Sequence, residues 1–198
     1  MRRILRAAAA VALAVALGGC TLTSLQQSYQ NDPNAGYVQG QTGITVVQPD
    51  QRKAPVEFSG TTESGAQFDS KSELGKVVVV NFWYVLCPPC RVEASDLAAV
   101  AAEYAKKGVV FVGINTRDDV SSITAYDEQF GVKYPSIVDA ASGAAQLAFS
   151  GAYRPNATPT TIVLDREGRV AARIEATVHG QLSNLTSLID SALAEKTS

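Results

Sequence analysis

Histidine, tryptophan and methionine each occur once among the 198 residues, and cysteine only three times. A structural zinc site draws four ligands, commonly as two pairs, and the pair Cys87 and Cys90 has no second pair to join it. The lone histidine, His179, precedes Gly180 and suits a loop or cap position, so no metal is expected. Charge is sparse at 18% of residues, and no Lys/Arg run offers the basic footprint that counterion release from nucleic acid requires. Nucleic acid is therefore not an expected partner. Nor is any apolar run long enough to span a bilayer: Ala7 to Leu17 has about eleven residues where a spanning helix needs about twenty.

That short run instead belongs to an export signal, with basic Met1-Arg2-Arg3-Ile4-Leu5-Arg6 before it and the small pair Gly18-Gly19 after it. The stretch Leu17-Gly18-Gly19-Cys20 resembles the lipobox of bacterial lipoproteins. The resemblance implies cleavage after residue 19 and an acylated Cys20 that anchors the mature chain. Loss of Arg2, Arg3 and Arg6 with the signal takes the basic residues from 17 to 14 against 19 acidic ones, a formal charge of −5. The expected location is the outer face of the cytoplasmic membrane. Disulfides persist there, and Cys87 and Cys90 are the two thiols left. A two-residue gap closes almost no loop, so a bond between them constrains the chain little; redox chemistry is the purpose left to it.

Residues 20–55, rich in Gln, Ser, Asn, Gly, Thr and Pro without a sustained apolar period, are predicted as a tether. Residues 56–196 are predicted as one packed domain. Val77–Trp83 and Val109–Ile114 are apolar runs of strand length, the pattern of strands buried on both faces of a parallel sheet. Between them Leu97, Val100, Ala101 and Tyr104 recur at helical spacing as far as Lys106-Lys107-Gly108, giving a βαβ crossover. A helix around Ile123, Tyr126 and Phe130, a short strand at 136–138 and a small helix over 144–149 follow. Thr160–Leu164 and Val170–Ile174 read as a hairpin, and Leu182, Leu185, Leu188, Ile189 and Leu193 as an amphipathic closing helix. The predicted class is α/β: a mixed sheet flanked by helices, with a helical insertion between a βαβ half and a ββα half.

Cys87-Pro88-Pro89-Cys90 falls directly after the first buried strand and directly before a helix. A cysteine at a helix amino terminus faces the positive end of the macrodipole and free N–H groups, which favour thiolate over thiol. Cys87 is the candidate nucleophile. Cys90, three residues on and on the same helical side, can attack a mixed disulfide formed at Cys87. Pro88 and Pro89 suit a first turn, where their missing N–H has no intrahelical partner. Downstream, Thr158-Pro159-Thr160 opens a predicted strand with a proline, a place where a cis peptide is expected in combination with the cysteines. Glu93 aligns with Leu97, Val100 and Tyr104 on the apolar stripe. Burial there raises a carboxyl's pKa and lets it exchange protons with the inner thiol.

Together, Val79-Val80-Asn81-Phe82-Trp83 leading into Cys87-Pro88-Pro89-Cys90-Arg91-Val92-Glu93, with Thr158-Pro159-Thr160-Thr161 downstream, resemble the TlpA/ResA family of thioredoxin-like proteins over roughly residues 56 to 196. The resemblance implies a thioredoxin-like fold and a dithiol mechanism with no cofactor beyond the Cys87–Cys90 disulfide. Cys87 would be the exposed attacking thiol, Cys90 the buried one, and Pro159 a cis-proline facing both. The Thr158 backbone would pair with an extended substrate segment, and Glu93 matches the family's acid beneath the active site. Lipoprotein members with such an insertion keep apocytochrome c cysteines reduced for haem attachment, by reducing disulfides formed between them, and draw electrons from a membrane partner of the CcdA type; a monomer is expected.

Three positions depart from the pattern. Leu86 stands where the family commonly has tryptophan, Ser95 where it has a helix-kinking proline, and Asn81 where thioredoxin carries a buried acid. Trp83 is expected in the core or a cavity wall. Alternatives are a disulfide oxidase or isomerase for exported proteins, a peroxidase of the peroxiredoxin type, and a binding module with a static disulfide. Against the peroxidase, Tyr84 occupies the position three before Cys87 where peroxiredoxins carry threonine.

Overall fold

Val78–Trp83 is buried at every position, as a strand covered on both faces must be. It forms the centre of the sheet in the computed structural model, which describes residues 43–151 and 153–195. The expected signal peptide, Cys20 and residues 20–42 of the tether lie outside the described residues. The strands are β1 (Ile44–Val46), β2 (Ser59–Thr61), β3 (Gln67–Asp69), β4 (Val78–Trp83), β5 (Val110–Asn115), β6 (Ser136–Val138), β7 (Thr160–Leu164) and β8 (Val170–Ile174). The helices are α1 (Pro88–Ala105), α2 (Val120–Phe130), α3 (Ala144–Ala148) and α4 (Leu182–Ala194).

Six strands make a mixed sheet in the order β1-β8-β7-β4-β5-β6. β4, β5 and β6 run parallel, while β7 pairs antiparallel with β4 and with β8. The sheet and its helices follow the expected α/β plan, with α2, β6 and α3 as the insertion.

Residues 44–55 were expected in the tether, yet the fold begins earlier. The β-branched run Ile44-Thr45-Val46 satisfies its backbone by pairing antiparallel with Ala172–Ile174 at the sheet edge. Beyond it, the Arg52 guanidinium bonds Asp165 at 2.9 Å and Glu195 at 2.7 Å. The β2–β3 hairpin was not anticipated either, because three-residue strands with exposed ends carry almost no periodicity.

Alternation along β4 sends successive side chains to opposite faces. Val79 packs with Leu97, Tyr104, Leu185 and Ile189 beneath α1 and α4. Phe82, on the other face, meets Phe149 edge-on at 5.1 Å, and Phe149 meets Phe58 at 5.1 Å. The site at the carboxyl end of β4 thus stands between two packed layers.

Candidate active site

Helix α1 starts where it does because Cys87 caps it: extended at φ −74° and ψ 109°, it accepts the Cys90 N–H on its own Sγ at 3.2 Å. Pro88 and Pro89 fill the first turn without needing donors. The two cysteines are joined, with Sγ–Sγ 2.06 Å and Cα–Cα 5.2 Å. The loop before them is braced from β5, since Asp118 accepts the Val85 N–H at 2.6 Å and is itself held by Asn115 at 2.9 Å.

Cys87, expected to be exposed, is only 1% exposed, as is Cys90. Bonding to Cys90 and capping the helix both turn its sulfur inward. The neighbouring side chain on the surface is instead Leu86, 80% exposed. Across from the pair, the Thr158–Pro159 peptide is cis, and the Thr158 carbonyl oxygen lies 3.7 Å from Cys87 Sγ. A Cys87 thiol has an acceptor there once the disulfide is opened.

Beneath the pair, Glu93 is 1% exposed. Its carboxylate accepts the Val178 N–H at 2.7 Å and the Asn81 amide at 3.1 Å. Burial pushes its pKa up to about 7, against the opposite pull of the Val178 N–H, Asn81 and Thr177. Asn81, noted above only for the acid it replaces, also donates to Thr161 at 3.2 Å, so it links β7 to the buried carboxyl.

The loop after β8 closes over α1 at three places. Thr177 Oγ1 donates to the Pro89 carbonyl at 3.5 Å, Val178 meets Glu93, and His179 Nδ1 lies 2.7 Å from Asp96. His179 is thus in a loop, as expected. Ser95 is exposed and donates to the Phe130 carbonyl at 3.4 Å.

Trp83 lies in the core beside both cysteines. Its ring packs 4.3 Å from Tyr126, and its Nε1–H donates to Ser136 at 3.3 Å. The Tyr126 hydroxyl donates to the Cys90 carbonyl at 2.9 Å. Val178 and Tyr126 were not singled out from sequence: one acts through a backbone N–H, which leaves no trace in residue type, and the other shared its helical stripe with ordinary core residues.

This arrangement has known counterparts. The Redoxin family matches residues 49–189. The soluble secreted antigen MPT53 of Mycobacterium tuberculosis is 41% identical over 85 residues, 43% of this chain and 48% of that protein, so the chain spans about half the length of that curated relative. The thiol-disulfide oxidoreductase ResA of Geobacillus kaustophilus is 31% identical over 122 residues, 62% of this chain and 67% of the relative. A DsbF homologue from Corynebacterium diphtheriae has a solved structure that superposes with a TM-score of 0.66 at 31% identity, over 78% of this chain and 96% of that one. With a disulfide at Cys87–Cys90 on a thioredoxin-like sheet, the chain belongs to the Redoxin family and, within it, to the TlpA/ResA-like thioredoxin-fold proteins.

Proposed function

We propose that this chain is an extracytoplasmic thiol-disulfide oxidoreductase that reduces protein disulfides. The observation that carries this is the Cys87 sulfur at the cap of α1, beside the Thr158 carbonyl and bonded to Cys90. In the reduced protein, a Cys87 thiolate attacks one sulfur of a substrate disulfide, and the other substrate sulfur leaves as a thiolate. Cys90 then attacks Cys87 Sγ, which releases the second substrate thiolate and closes the Cys87–Cys90 bond. Two electrons have passed to the substrate. Glu93, one turn along α1 from Cys90, takes the Cys90 proton, a role suited to a carboxyl held at about 7.

Reduction is favoured because Pro88 and Pro89 withhold two N–H donors from the first turn, leaving the Cys90 N–H on Cys87 Sγ. A weakly stabilised thiolate makes a reducing couple. Apocytochrome c is the substrate the family resemblance suggests, with electrons returned by a membrane donor of the CcdA type. The secreted mycobacterial relative supports export, and lipid on Cys20 would hold the domain at the membrane's outer face.

Equilibration of the full-length chain with glutathione buffers tests the direction. The expected potential is near the thioredoxin value of about −270 mV. A value above about −180 mV overturns the reductant reading in favour of an oxidase or isomerase; the direct Cys90 N–H bond to Cys87 Sγ is the feature that favours that second reading. In Cys90→Ser, mixed disulfides through Cys87 are expected to accumulate. Their absence would leave only a static disulfide.

A further inference from the structure

The groove beside the cis-proline contains cationic groups that have no anionic partner among the described residues. It encloses about 530 Å³, and its walls include Phe82, Arg117, Gln146, Leu147, Arg154 and Thr158. Thr158 belongs to both places: it lines this groove, and its carbonyl lies 3.7 Å from Cys87 Sγ. Thr158 thus joins the groove to the disulfide.

Both arginines are exposed, and among the described residues neither forms an ion pair. The Arg117 guanidinium stacks 4.1 Å from the Tyr84 ring, three residues before Cys87. Its acidic chain neighbours are directed elsewhere: Asp118 to the Val85 N–H and Asn115, Asp119 to the first turn of α2. Arg173, close to Arg154 through the Arg154 carbonyl, is already paired with Glu175 at 3.0 Å. Among the described residues no acid lines the groove, although the chain as a whole carries more acidic than basic residues. Leu147, 71% exposed, offers an apolar contact.

We propose that the groove selects extended polypeptide segments whose reacting cysteine is flanked by Asp or Glu, with Arg117 and Arg154 binding the carboxylates. This rests on the oxidoreductase reading and adds the substrate's charge to it. Guanidinium groups match carboxylates with two parallel donors. Two exposed pairs together account for a preference of about tenfold.

The test uses the reduced full-length chain and disulfide-bonded synthetic peptides identical except for flanking Asp, Ser or Lys pairs. The expected order of second-order rate constants is Asp over Ser over Lys, about tenfold from first to last, shrinking in high salt. Arg117→Glu/Arg154→Glu is expected to invert the order among the three peptides, to Lys over Ser over Asp. The single variants Arg117→Gln and Arg154→Gln should each remove part of the preference, which covers the case of a misfolded double variant. Rates independent of flanking charge, or an order unchanged in the variants, overturn the proposal. A separate arm measures binding of the same peptides with serine in place of cysteine. Failure of the oxidoreductase reading is seen as unreacted peptides that still bind in the expected order; failure of the groove is seen as reaction and binding without charge preference.

Discussion

The Glu93 carboxylate accepts the backbone N–H of Val178 at 2.7 Å, across 85 positions of sequence. One buried acid thereby fixes the loop after β8 against the helix that carries both cysteines. Its ionisation links the stability of that contact to pH.

The folded pKa of Glu93, about 7, lies above the ordinary 4.5, so the folded chain holds this proton more tightly than the unfolded one. The resulting stability is full below about 4.5 and is lost as pH rises through about 7. On the order of 3 kcal/mol is at stake across that window. Urea unfolding of the oxidised protein from pH 4 to pH 8 is expected to show this decline, and Glu93→Gln to make it shallower, with the rest carried by Asp127, which burial also raises to about 7. Parallel slopes in the two proteins would contradict the buried-acid assignment.

Trp83 is the only tryptophan and packs in one cluster with Cys87 and Cys90. A disulfide quenches a neighbouring indole, so emission is expected to rise when the pair is reduced. Cys87→Ser/Cys90→Ser should be bright without reductant and unresponsive to it. Unchanged emission on reduction of the wild type would place the ring too far from the pair.

Gly113 has no space for a side chain. A Cβ there would collide with Ser136 Oγ and come within 2.7 Å of Trp83 Nε1. Gly113→Ala is expected to cost about 1–3 kcal/mol by overpacking. Because Trp83 donates to Ser136, its emission maximum should shift in the same variant. A neutral substitution would mean that β5 and β6 separate more easily than their pairing indicates.

Arg52 and Asp165 form a buried pair, with side chains 3% and 4% exposed. Arg52→Ala leaves Asp165 with Arg169, at 2.8 Å, as its remaining cation. The expected loss is about 3 kcal/mol, the low end for breaking a buried pair. Differential scanning calorimetry would register it as a lower Tm. An unchanged Tm would show that residues 44–55 contribute little to the domain.

Strands and helices whose side chains repeat a period were legible in the residues alone. The runs Val77–Trp83 and Val109–Ile114 and the stripe Glu93, Leu97, Val100, Tyr104 follow from apolar spacing alone, because burial of a strand or helix face requires it, and the observed strands, Val78–Trp83 and Val110–Asn115, lie within one residue of those runs. The pairing of Cys87 with Cys90 follows from their place at a helix start. The edge strand Ile44–Val46 was not legible there, because its three residues gain their pairing from β8, more than 120 positions away. Long-range packing likewise sets the burial of Cys87, the Val178 N–H on Glu93, and the meeting of Arg117 and Arg154 in one groove. Each of these depends on segments far apart in the chain, and residue type at one position carries no information about which distant backbone or charge will face it.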